Sequence, residues 1–192
     1  MNTLSLDLKT RYSYADYLTW LDNKRRELID GFIKMMSAPK PVHQKISLSL
    51  SANIIEIIKK NKGNCEVYQD IDVRLPINGN KEDGSIYDVV RPDISILCDK
   101  SKIDENGCLG APDMIIEIQS FSTAKYDLTT KFNLYEKAGV KEYWVIYPVE
   151  KGIEVFLLQD NGKYDDGTRY DTDKVPIGIF NGCSIDLYDV FN

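Results

Sequence analysis

Apolar residues recur along this chain in two rhythms. Helical spacing sets Ile46, Leu50, Ile54, Ile57 and Ile58 on one stripe of HQKISLSLSANIIEIIKKNKGN, which predicts a long helix with Gly63 as its stop. Leu128, Phe132 and Tyr135 predict a second helix within STAKYDLTTKFNLYEKAGV, stopped by Gly139. Ser13 suits the N-cap of a short first helix that carries Tyr17, Leu18 and Leu21. The two-residue rhythm and the short β-compatible runs predict strands. RRELIDGFIKMM reads as a hairpin around Asp30-Gly31, followed by CEVYQDIDVRL, YDVVRPDISILC, DMIIEIQS, EYWVIYP and GIEVFLL. GKYDDGTRYD reads as a solvent-facing hairpin, and FNGCSIDLYDVFN as a closing edge or a final docked turn. The order of elements predicts an α+β or mixed-sheet α/β fold, with residues 1–192 forming one domain.

Within PDMIIEIQSFST the alternation sets Asp113, Ile115, Glu117 and Gln119 on one face and Met114, Ile116 and Ile118 on the other. Glu117 thus stands in an apolar run, where an ionised carboxylate costs several kcal/mol unless it is compensated. A second acid, Asp93, follows Pro92 at the head of the run DISIL. If the two strands are neighbours, both carboxylates face one point. Two unit charges about 4 Å apart repel by roughly 4 kcal/mol at an effective dielectric near 20, about three pKa units, so a proton or a cation must intervene. A magnesium ion needs few carboxylate oxygens because it keeps several waters, so it suits such a pair. Asp113 also follows a proline, but lies about 13 Å from Glu117 at ~3.3 Å per residue, too far to share an ion directly.

Composition narrows the classes. The net charge of -6 argues against a surface that coats nucleic acid or acidic membrane non-specifically, although it leaves room for a local basic groove. No apolar run approaches the ~20 residues that span a bilayer, and the first residues carry no signal-peptide pattern, so a soluble, cytoplasmic protein without a membrane partner is expected. Cys65, Cys98, Cys108 and Cys183 include no CxxC pair, which indicates neither a zinc site nor a disulfide framework and leaves them as small thiols.

Pro92-Asp93 followed by Glu117-x-Gln119 resembles the PD-(D/E)xK nuclease signature, with glutamine where the lysine would stand. The longer string RPDISIL…GAPDMIIEIQSFSTAKYDLTTKFNLYEKAGVKEYWVIYP, preceded by ELIDG and HQKI, is similar to the Uma-two family of restriction-endonuclease-like proteins over roughly residues 12 to 148. The resemblance implies a restriction-endonuclease-like mixed β-sheet flanked by helices. It also implies a magnesium-dependent endonuclease acting on DNA, with manganese as a substitute ion. Asp93 and Glu117 would hold the metal, Gln119 would add a contact, and the missing strand lysine would be replaced by Lys131 on the following helix. Asp127, four residues before Lys131, would share its helical face. The same resemblance brings Glu27 of ELIDG and His43 of HQKI in as supporting residues, although a lone histidine or a hairpin acid is usually structural. Homodimerisation fits an enzyme that cuts both strands. Two other readings stay open: a non-catalytic DNA-binding or assembly module that keeps the fold, and a metal-dependent hydrolase of another phosphate ester.

Overall fold

The computed structural model describes residues 6–22, 24–120 and 127–192, with Asp127 described by its backbone alone. Helix α1 (Tyr14–Tyr17) opens with a capping box, in which Ser13 Oγ accepts from Asp16 N and the Asp16 carboxylate accepts from Ser13 N. It is only four residues long, so Leu18 and Leu21 lie beyond it and are exposed, contrary to the expectation from their spacing. Strands β1 (Arg26–Ile29) and β2 (Phe32–Met35) form the expected hairpin. Asp30 (φ 49°) and Gly31 (φ 79°) take the two left-handed positions of its turn. A Cβ at Gly31 would stand 2.3 Å from Arg11 Cγ and 2.9 Å from the Tyr12 carbonyl oxygen, so glycine is required for packing as well as for φ.

Helix α2 (Pro41–Lys60) buries Ile46, Leu50, Ile54 and Ile58, each contributing about 1.5–3 kcal/mol by burial. Its end differs from the expectation. Lys62, not Gly63, takes the left-handed conformation (φ 51°), while the N–H groups of Gly63 and Lys62 donate to the carbonyls of Ile58 and Lys59 in a Schellman pattern.

Two expected strands are each broken in two. CEVYQDIDVRL becomes β3 (Glu66–Gln69) and β4 (Val73–Arg74), interrupted by Asp70 at φ 53°. YDVVRPDISILC becomes β5 (Val89–Val90) and β6 (Ile94–Leu97), interrupted at Pro92, which has no N–H for a ladder. The breaks match, so this long hairpin leaves one sheet and enters another. The polar loop after β6 makes an edge excursion, β7 (Ile103–Asp104) and β8 (Gly107–Leu109), before β9 (Met114–Ile118). After a π-helical turn at Asp127–Lys131 come α3 (Phe132–Ala138), β10 (Glu142–Tyr147), β11 (Gly152–Leu157) and β12 (Thr168–Tyr170). The chain ends with β13 (Lys174–Pro176), β14 (Ser184–Asp186) and α4 (Leu187–Phe191).

One six-stranded sheet runs β2-β1-β5-β4-β8-β7 and the other β12-β11-β10-β9-β6-β3, beside a β13-β14 pair. Both large sheets are mixed, because β4 pairs with β8, and β9 with β10, in parallel. This is the expected α/β (α+β) class, with the strands divided between two sheets. The face of β9 carrying Met114, Ile116 and Ile118 packs with α2, whereas Ile115 joins a second core cluster with Tyr135, Tyr143 and Val145. The predicted alternation therefore holds.

Three further expectations are corrected. Cys65 and Cys98 are joined by a disulfide with an S–S distance of 1.98 Å; they lie one position past the Glu66–Leu97 pair of β3 and β6, a proximity that sequence spacing does not reveal. Leu128 is 37% exposed, because the π-helical turn interrupts the 3.6-residue period that would have aligned it with Phe132 and Tyr135. Tyr164, expected in solvent, is buried in the second core cluster, and its hydroxyl donates to the Val140 carbonyl at 2.9 Å. Among the described residues no helix is long and apolar enough to cross a membrane.

Candidate active site

Glu117 is 4% exposed and points into the second core cluster's side of β9. Its Oε1 accepts from Lys131 Nζ at 2.8 Å and from the Tyr135 hydroxyl at 2.6 Å. Lys131 Nζ is also 2.8 Å from Glu27 Oε1, and the latter accepts from Arg91 N at 3.0 Å. Glu27, Glu117 and Lys131 are thus one buried network contributed by β1, β9 and the turn before α3, with the Lys131 ammonium between the two carboxylates. Burial, and then the charge of Glu117, push the Tyr135 phenol well above its ordinary range, so it remains a proton donor.

Asp93 stands at the head of β6, one position past the Ile94–Ile116 pair, which sets it across from Glu117. Its Oδ2 accepts from Ile118 N at 2.7 Å and lies 3.0 Å from His43 Nε2. The rigid first turn of α2, set by Pro41, carries His43 to this point. Gln119 continues the strand: its N–H donates to the Ile146 carbonyl, and its side-chain Nε2 is buried without a hydrogen-bond partner among the described residues.

Five of the six sequence-predicted residues therefore fall into two adjoining groups, centred on Glu117 of β9 and on Asp93 at the head of β6. Glu27, Glu117 and Lys131 form one, Asp93 and His43 the other, and Gln119 lies just beyond Ile118. Asp113 does not join them. At the other end of β9, burial would raise its carboxyl, but Lys141 Nζ at 2.6 Å and Cys98 N at 2.8 Å outweigh that and hold it below the usual range. The side chain of Asp127, proposed to share a face with Lys131, lies outside the described residues.

Sequence reasoning missed Tyr135, which it assigned to packing, and Arg91. The available signal for Tyr135 was its place four residues after Lys131. For Arg91 there was none, because it is the backbone N–H that binds Glu27.

Among the described residues no group of three or more His, Cys, Asp and Glu side chains is arranged to hold a metal. The donor set at this corner is two carboxylates on neighbouring strands, a small set that fits an ion keeping most of its waters.

A family model, Uma2, described as "Putative restriction endonuclease", matches residues 14–187. The chain belongs to the Uma2 family. A crystal structure described as a "putative nuclease belonging to DUF820" from Anabaena variabilis superposes with a TM-score of 0.73 at 23% identity, covering 93% of this chain and 97% of that one. That likeness is one of fold. "Uncharacterized protein slr1290" of Synechocystis is 26% identical over 157 residues, 80% of this chain and 78% of that protein. The Uma2 match spans the whole candidate site, from Glu27 to Lys131.

Proposed function

We propose that this Uma2 protein is a metal-dependent endonuclease that hydrolyses DNA phosphodiester bonds. The observation that carries the reading is the position of Lys131 Nζ, 2.8 Å from Glu117 on the strand next to Asp93, in a chain whose strand position 119 holds glutamine. Asp93 and Glu117 would hold a magnesium or manganese ion, which supplies charge neutralisation at the phosphate and a more acidic water.

The chain's own groups do the rest. Glu27 and Glu117 hold the Lys131 ammonium in one place, so its positive charge would stand beside an attacking water or a phosphoryl oxygen without reorganisation. His43 and the Ile118 N–H fix the Asp93 carboxylate. Gln119 brings to the same edge an amide N–H that has no partner among the described residues. In the reaction a bond forms between the water oxygen and phosphorus, the ester P–O bond breaks, and the water proton ends on the departing oxygen.

A supercoiled plasmid nicked in the presence of magnesium by the wild-type protein, but not by Asp93→Ala or Glu117→Gln, is the expected result; equal nicking by all three removes the assignment. The rival, a DNA-binding module without catalysis, draws on the same network, because an ammonium shared by two buried acids also serves as a structural bridge. It predicts salt-sensitive DNA binding and no metal-dependent product.

A further inference from the structure

Beside the network of buried acids lies a group of charges that the reaction above does not use. Arg25 Nη2 pairs with Asp70 Oδ1, and Arg91 Nε is 3.3 Å from that same oxygen. Arg91 Nη2 also donates to the Asp70 carbonyl at 2.9 Å, and Arg91 Nε is 3.5 Å from Asp72 Oδ1. Both arginines are tied to the candidate site: Arg25 is two residues before Glu27, while Arg91 is two before Asp93 and its N–H holds Glu27. Asp70 itself sits one position past the Gln69–Ile94 pair, across from Asp93. Its side chain is 44% exposed, against 29% for Arg25 and 24% for Arg91. Arg25 Nε is buried with no hydrogen-bond partner among the described residues. Two converging guanidiniums thus meet one solvent-facing carboxylate, that of Asp70, whose own backbone is left-handed at φ 53°.

We infer that Arg25 and Arg91 form a grip for a nucleic-acid backbone phosphate beside the bond to be cut, and that Asp70 fills this grip in the absence of substrate. The inference rests on the nuclease reading and names its substrate contact. Guanidinium forks match phosphate oxygens as well as they match a carboxylate, and a phosphodiester is a monoanion like Asp70. An exposed ion pair is a weak bond for a substrate to displace. The more deeply placed Asp72, whose carboxyl burial pushes above its ordinary range, keeps Arg91 oriented during the exchange.

The test is fluorescence anisotropy of a labelled short DNA duplex with the full chain in EDTA, so that nothing is cut, over a series of salt concentrations. Asp70→Asn is expected to tighten binding several-fold. Arg25→Ala is expected to weaken binding and to make the slope of log K against log salt shallower by about 0.9, one phosphate contact. Unchanged or weaker binding by Asp70→Asn overturns the inference, as does an unchanged slope in Arg25→Ala; a gain in affinity cannot come from misfolding. Magnesium-dependent nicking by wild type in the absence of these shifts sinks the grip alone. The shifts without nicking keep the grip and sink the catalytic reading.

Discussion

Lys131 Nζ lies 2.8 Å from Glu117 Oε1, and both side chains are almost completely buried. Removing the ammonium takes away the cation that Glu117 and Glu27 share. Lys131→Met is therefore expected to lose about 3–5 kcal/mol of stability at neutral pH. Adding Glu117→Gln should restore part of it. Denaturant titration of the single and double variants checks this, and additive losses would show that the pair is not coupled.

Tyr135 donates to the same carboxylate oxygen at 2.6 Å. A hydrogen bond to a charged group contributes about 1.5–3 kcal/mol, so Tyr135→Phe should destabilise by an amount in that range while leaving the ring's packing against Tyr143 in place. In a Glu117→Gln background the cost of Tyr135→Phe should fall to about half or less, since the acceptor is then neutral.

Glu142 is completely buried and accepts from Trp144 Nε1, Gly178 N and Ile179 N. Burial pushes its carboxyl above the ordinary value of 4.5, and the three donors only partly offset this. The native state thus binds a proton more tightly than the unfolded chain. The contribution of Glu142 is fully present below pH 4.5 and is lost as pH rises through its native pKa. Glu142→Gln, which does not titrate, should remove that component from a series of urea denaturations at rising pH. An identical pH dependence in the variant would contradict it.

Lys62 holds a left-handed φ of 51° at the end of α2. Glycine adopts that conformation without the Cβ clash, so Lys62→Gly is expected to stabilise by about 0.5–1 kcal/mol, read as a higher denaturant midpoint at unchanged m. Destabilisation would mean that the Lys62 side chain does more than close the helix.

Burial pushes the Cys108 thiol up to about 12, whereas Cys183 is partly exposed and Cys65 is bonded to Cys98. Iodoacetamide at mildly alkaline pH should therefore label Cys183 in the folded, unreduced protein, and Cys108 only after denaturation. Peptide mass spectrometry distinguishes these sites, and early labelling of Cys65 or Cys98 would show that the bond is absent.

The local pattern determined much of this molecule. Apolar spacing marked the stripe of α2 and the two faces of β9, and Asp30-Gly31 marked the turn, because each depends on neighbours within a few residues. The oddity of Glu117 was likewise visible, since a carboxylate in an apolar run needs compensation wherever the run lies. What the pattern did not carry was which segments lie side by side. Asp70 and Pro92 break two apparent strands at matching points, and this sends one hairpin through both sheets. Only that crossing, together with the β1–β5 pairing, brings Glu27 to Lys131 and Arg25 to Asp70. The Cys65–Cys98 bond and the burial of Tyr164 follow from strand partners in the same way. A side chain's periodicity reports which face it occupies; the charge that neutralises a buried acid comes from a distant part of the chain and is decided only when the sheets pack.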